Sequence, residues 1–252
     1  MSDFRAESST EMFKTIRDPT YVGGLTRTFT VDFVRLHENQ RYDADRFDPK
    51  YDEFFRRLDE AGRTERLGDL LREKPKRGTQ PTYDANGTVL VINSQQIHAD
   101  QIDTETCSYT TSELVTLNRN KGRIKKYDVL LNSTGYIIIG RCQAWLEDTE
   151  AIVDSHVTIL RPKEQLDPVF LAVFLNSRLG YLQTERAWTG SSGQIELRRE
   201  AIEDFKVLVP SLEAQHVIRA DIEAAHAARS EAKRLWLKTT RAMEANILGE
   251  AR

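Results

Sequence analysis

Three short stretches gather side-chain amides and hydroxyls around turn-forming residues: Asn93-Ser94-Gln95-Gln96, Asn132-Ser133-Thr134-Gly135 and Ser191-Ser192-Gly193-Gln194. The amides of Asn and Gln donate and accept at once, which matches the paired donor and acceptor on the edge of an adenine. Hydroxyls and backbone N–H groups beside glycines suit phosphate oxygens. A basic run, Arg119, Lys121, Arg123, Lys125 and Lys126, has no acid between its members, and a second basic stretch runs Lys74-Pro75-Lys76-Arg77-Gly78-Thr79-Gln80-Pro81. Such runs neutralise phosphates through counterion release. Each cluster alone is also an ordinary turn, and each run an ordinary solvated loop.

Catalytic signatures are missing from the sequence. The five histidines, His37, His98, His156, His216 and His226, form no H-E-x-x-H or H-x-x-x-H pair, which argues against a helical zinc site. There is no G-x-S-x-G elbow, phosphate-binding G-x-x-x-x-G-K-[ST] loop, G-x-G-x-x-G fingerprint or Asn/Asp-Pro-Pro-aromatic strand end. Asp84, Asp128 and Asp154 could bind magnesium in principle, but surface or capping carboxylates are the more frequent form of such residues. Cys107 and Cys142 are the only cysteines, too few for a thiolate metal site or a disulfide scaffold, and are expected as buried small apolar residues. No metal and no cofactor is expected.

The elements that must hold these turns follow from patterning. With 252 residues, 36 Lys+Arg against 39 Asp+Glu and a net charge of −3, the chain reads as one or two domains with no general nucleic-acid coat. No apolar run reaches the roughly 20 residues of a membrane span, and the opening residues lack an export signal, so a cytoplasmic protein is expected. Phe29–Val34 alternates like a half-buried strand. Asp48-Pro49 caps a helix with Tyr51, Phe54, Phe55 and Leu58 on one face up to Gly62. Strands are predicted over 88–92, 129–131, 136–139, 156–160 and 205–209, and a helix capped by Asp167-Pro168 runs to about Leu182.

From Leu212 to Leu248 there is neither Gly nor Pro, which predicts one helix on the order of 50 Å long. Ile218, Ile222, Ala225, Arg229, Ala232, Trp236, Thr239 and Met243 are spaced alternately by four and three, the period of a coiled-coil seam. So long a helix cannot bury its stripe within a domain of this size and calls for a partner helix, unless it folds back on its own domain.

In order and spacing these motifs resemble the specificity subunit of type I restriction-modification systems. The resemblance is carried by Arg77-Gly78-Thr79-Gln80-Pro81, Val91-Ile92-Asn93-Ser94 with Ile97, Tyr127–Gly135 with Gly140-Arg141, Phe170-Leu171 through Leu175-Asn176-Ser177, Gly190-Ser191-Ser192-Gly193-Gln194, and Val209-Pro210-Ser211-Leu212-Glu213-Ala214-Gln215. It covers about residues 66–248. It implies a globular target-recognition domain that reads one half of a split DNA site, and a long helix that pairs antiparallel with a counterpart and sets the spacing. It further implies no catalysis of the chain's own. The partners it implies are double-stranded DNA, a methyltransferase subunit and, where present, a restriction nuclease/translocase subunit of a phage-defence system.

Members of the family usually carry two recognition domains and two long helices, whereas this sequence carries one of each, as a half-subunit would. A homodimer would restore the arrangement and predict an inverted-repeat target. Ser211 and Ala214 replace a proline and a glutamate of the family's helix junction.

The expected architecture is α+β: an N-terminal extension with a short amphipathic helix (1–65), a strand-rich target-recognition domain (66–210) and a dimerisation helix (211–252). The expected DNA face comprises Lys76, Arg77, Thr79, Gln80, Asn93, Ser94, Gln95, Arg119, Lys121, Arg123, Lys125, Lys126, Asn132, Ser133, Thr134, Arg141, Ser191, Ser192 and Gln194. The expected dimer seam comprises Ile218, Ile222, Ala225, Ala232, Trp236 and Met243. The alternatives are a small nuclease or methyltransferase, or a coiled-coil scaffold that reads no DNA.

Overall fold

A computed structural model describes residues 29–32, 44–119, 121–190 and 194–248. After a 3-10 turn at Ala44–Phe47, the elements are α1 (Pro49–Ala61), β1 (Thr64–Arg66), α2 (Leu67–Leu70), β2 (Lys76–Arg77), β3 (Val89–Ile92), β4 (Ser108–Thr110) and α3 (Ser112–Leu117). There follow β5 (Val129–Asn132), β6 (Cys142–Ala144), β7 (Ala151–Val153), β8 (Val157–Leu160), α4 (Pro168–Asn176), α5 (Arg178–Ala187), α6 (Arg199–Glu203), β9 (Lys206–Leu208) and α7 (Leu212–Leu248). This is the expected α+β arrangement, a strand-rich body followed by one long helix.

The strands form three small sheets ordered β2-β8-β5-β6, β4-β3-β7 and β1-β9. β5 shows how the layers are built. Val129 and Leu131 face a helix-covered core with Phe170, Leu171 and Phe174, whereas Leu130 faces a second core with Leu90, Ile92, Val153 and Ile159. The four-stranded sheet is thus buried on both faces. That is why β5 and β8 are buried at every position and mostly apolar without alternation, and β3 of the neighbouring three-stranded sheet is too, with Leu90 and Ile92 in one core and Val89 and Val91 in another.

Local signals set the helices. The Asp48 side chain accepts from the Lys50 N–H with Pro49 in the first turn of α1, and Asp167 accepts from the Val169 and Phe170 N–H groups with Pro168 in the first turn of α4. The single helix expected over 167–182 is instead two. Ser177 donates to the Phe174 carbonyl at 2.6 Å and accepts from the Leu179 N–H at 3.1 Å, which ends α4 and starts α5.

Two further expectations change. Phe54 and Leu58 of α1 lie in the main core, and β1 pairs with β9, so residues 49–66 pack with the body and no break in packing falls at 65/66. The predicted strand over 136–139 is a turn, flanked by Gly135 at φ +93° and Gly140 at φ +86°. Of the strand expected over 29–34, residues 29–32 have no regular structure and the remainder lies outside the described residues. Cys107 and Cys142 are buried and unbridged.

The long helix spans Leu212–Leu248, as its lack of Gly and Pro predicts. Its base is fastened to the body. Gln215 is fully buried: its carbonyl oxygen accepts from the Asp167 N–H at 2.8 Å, and its amide donates to the carbonyls of Gln165 (3.1 Å) and Pro210 (2.9 Å). Arg219 pairs with Asp167 at 3.1 Å and lies over the Tyr127 ring. Ile218 and Ile222 pack against the main core, which corrects their assignment to a dimer seam.

Candidate nucleic-acid interface

The turns after β3 and β5 and the stretch around residue 194 are far apart in sequence but adjoin in space. Gln80, Tyr83, Asn93, Ser94, Gln95, Thr134, Gly135, Asp154, His156, Gln194, Ile195 and Glu196 line one open depression of about 710 Å³. Six residues of the expected DNA face, Gln80, Asn93, Ser94, Gln95, Thr134 and Gln194, therefore come together. Ser191 and Ser192 lie outside the described residues.

The depression is held by parallel and bridging backbone pairs. β3 runs parallel to β7, with Ile92 opposite Val153, so the turn at Asn93 and the acid Asp154 emerge side by side. Thr134 bridges to Glu196, and the Gly135 N–H donates to the Ile195 carbonyl at 3.2 Å, which brings the third stretch alongside. Gly78 closes the near side. A Cβ there would lie 2.2 Å from the Val153 carbonyl oxygen, so only glycine lets the basic stretch 76–80 run against the end of β7.

Each polar side chain has a definite job. Asn93 accepts from the Gln95 N–H at 2.8 Å, and its own N–H donates to the Gln96 side chain at 3.1 Å. Asn93 therefore shapes the turn, and Gln95 is left exposed at its tip. Thr134 Oγ1 lies 2.7 Å from His156 Nδ1. Burial holds the Asp154 carboxyl above the ordinary carboxylate range, opposed by the N–H of His156 and by its ring. Burial, and then Asp154, likewise raise the Tyr83 hydroxyl. The basin thus offers amides, hydroxyls and an imidazole, a set able to pair with base edges.

Asn132 and Ser133, expected on this face, are fully buried. The Asn132 amide donates to the Ser94 carbonyl at 2.8 Å, and Ser133 donates to the His156 carbonyl and accepts from Thr158. They hold the walls of the depression and are not at its surface. At strand ends, short polar residues serve as readily to satisfy neighbouring backbone as to face solvent.

The basic run is divided by tertiary pairing. Arg123 pairs with Glu150, and Lys126 with Asp148 at 2.7 Å. Arg119, Lys121 and Lys125 are exposed and make no ion pair among the described residues. Residues 122–124 run along the free edge of β7: Val153 donates to Gly122, and Ile124 to Ala151. The run therefore flanks the same strand whose end forms the depression. Of the other basic residues, Lys76 pairs with Glu73. Arg77 pairs with Glu196 at 2.9 Å and donates to the Leu197 carbonyl, so it cross-braces the rim. Thr79 and Arg141 are half-buried.

Tyr83, Asp154, His156 and Glu196 belong to the depression although no sequence signal singled them out for it. Asp128, one of the scattered acids, is buried and bonded to both Nε and Nη2 of Arg161 at 2.8 and 3.1 Å, an internal ion pair with no opening for a metal. Among the described residues no cluster has the make-up of a metal site, and no helix is long and apolar enough to cross a membrane.

Comparison with known proteins gives the family of the chain. The sequence pattern described as the type I restriction modification DNA specificity domain matches residues 63–228. Among solved structures, an S subunit of a type I restriction-modification system from M. genitalium aligns with TM-score 0.50 at 14% identity, over 73% of this chain and 44% of that one. The HsdS subunit from Thermoanaerobacter tengcongensis aligns with TM-score 0.47 at 17% identity, over 80% and 49%. The chain spans about half the length of the solved chains it matches. No curated protein matches it in sequence. With the family's pattern running from β1 well into α7, this chain belongs to the type I restriction-modification DNA specificity domain family.

Proposed function

We propose that this chain is a non-catalytic DNA-recognition module that reads one half of a bipartite duplex site and directs a cytosolic methyltransferase, and in a full restriction assembly a nuclease, to it. The observation that carries the reading is the meeting of Gln80, Asn93, Ser94, Gln95, Thr134 and Gln194 in one depression on a domain of this family. In this reading the depression faces base edges while Arg119, Lys121 and Lys125 lie along the phosphates. Two copies pair through the distal part of α7, where Ala225, Ala232, Trp236 and Met243 are exposed. Trp236 is 73% and Met243 55% accessible.

The test is selection of duplexes from a randomised library by the purified chain, with and without the methyltransferase subunit, followed by electrophoretic shift. A gapped inverted repeat is the expected product. Indifference to sequence in every combination defeats the reading. Gln95→Ala should relax specificity at one base pair by about 1–3 kcal/mol. Replacing Lys121 and Lys125 with Ala should weaken binding to all sequences alike and reduce the salt slope by about 0.9 per lost phosphate contact.

A further inference from the structure

The turn at 135–140 breaks a local rule. Ile137, Ile138 and Ile139 are β-branched and favour a strand, yet they lie in a turn in which the N–H groups of Ile138 and Ile139 both donate to the Gly135 carbonyl, at 3.2 and 2.9 Å. The turn is closed at its far end, where the Gly140 N–H donates to the Asn132 carbonyl and the Asn132 N–H to the Arg141 carbonyl, both at 2.8 Å. The backbone is therefore pinned on both sides. Ile139 is fully buried, but Ile137 is 68% and Tyr136 59% accessible. The Tyr136 ring rests against Trp188, with centroids 6.5 Å apart.

A large aliphatic side chain held outward by a fixed turn contributes little to folding, and departures from local preference of this kind gather at functional positions. Its place is informative. Ile137 lies two residues beyond Gly135, which with Thr134 lines the depression, so an apolar tip stands close to a basin whose lining suits base edges. In the major groove only thymine presents an apolar group, its 5-methyl.

We infer that Ile137, backed by Tyr136 on Trp188, contacts the 5-methyl group of a thymine adjoining the base pairs read in the depression. The inference rests on the proposed DNA reading and adds to it a residue that determines specificity. Its test starts from duplexes selected by the full-length chain, resynthesised with deoxyuridine in place of thymidine at one position at a time. Base pairing is unchanged and only the methyl is lost.

One position should weaken binding of the wild-type protein roughly fourfold, the value of one buried methyl-sized group. Ile137→Ala should bind the thymine duplex more weakly by a similar factor or more, show no difference between thymine and uracil, and keep the wild-type salt slope. Ile137→Val should retain part of the difference. The inference is overturned if the wild type selects a sequence yet ignores uracil at every thymine, or if Ile137→Ala keeps the full uracil penalty. It is overturned in favour of a protein-docking tip if Ile137→Ser leaves the uracil effect intact but no longer binds the methyltransferase subunit. A library that yields no preferred sequence removes both this inference and the reading beneath it.

Discussion

The two ends of α7 are built on opposite principles. At its base, residues 212–222, polar groups are inside: Gln215 is fully buried with its amide satisfied by three backbone groups, and Arg219 reaches the buried Asp167. Beyond Ala225, apolar groups are outside, with Trp236 and Ile247 each 73% accessible. The distal helix touches the body through ion pairs, Arg229 with Asp100 and Lys233 with Glu105. A cleft of about 760 Å³ separates its inner face from residues 101–105 and 143–147. A single four-three apolar repeat thus divides in two: it packs on the chain's own core at Ile218 and Ile222 and is left uncovered beyond. A helix fixed at one end and bare at the other has a set exit direction, which a spacer between two reading heads requires.

The largest expected effect falls at the base. Gln215→Ala leaves the Asp167 N–H and two carbonyls without their buried partner and should cost about 3 kcal/mol, measured by urea unfolding of the free chain. A cost below about 1 kcal/mol would mean that the base is not fastened as described. Next comes the stripe. Trp236→Ala should weaken self-association by about 2 kcal/mol in sedimentation equilibrium while leaving the unfolding of the body unchanged. Equal loss in body stability and association would show Trp236 serving the body, and the contrast between the two ends would dissolve. The smallest effect is predicted for Arg229→Ala, about 0.5 kcal/mol and erased by salt, since its pair with Asp100 is solvent-exposed.

The body shows the same division between what is local and what is not. Caps at Asp48 and Asp167 and the predominantly apolar strands β3, β5 and β8 were legible because each depends on neighbours a few residues away. The turn at 135–140 was not, since its isoleucines carry a strand signal that two glycines at positive φ, the backbone bonds to Asn132 and Arg141 and the distant bond from the Gly135 N–H to Ile195 override. The break at Ser177 escaped for a related reason: serine tolerates a helix and also ends one, and its hydroxyl geometry decides which.

Site residues divide similarly. The polar turns were visible as residue types, and six of the expected residues do meet, but type alone could not tell Gln95, exposed at a turn, from Asn132, buried in a wall. Nor could it show that Glu150, separated by 27 positions, takes up the charge of Arg123.

The sequence by itself determined the inventory: α+β architecture, a helix running unbroken from 212, amide- and hydroxyl-bearing turns, and the absence of familiar catalytic motifs. Those features follow from periodicity, capping and backbone preference, which act within a few residues. Only the tertiary structure decided which turns share a depression, which cations remain unpaired, where the apolar stripe of α7 leaves the core and which isoleucine points outward. Burial and ion pairing are set by neighbours brought together through β-pairing across tens of residues, and no local pattern encodes those distances.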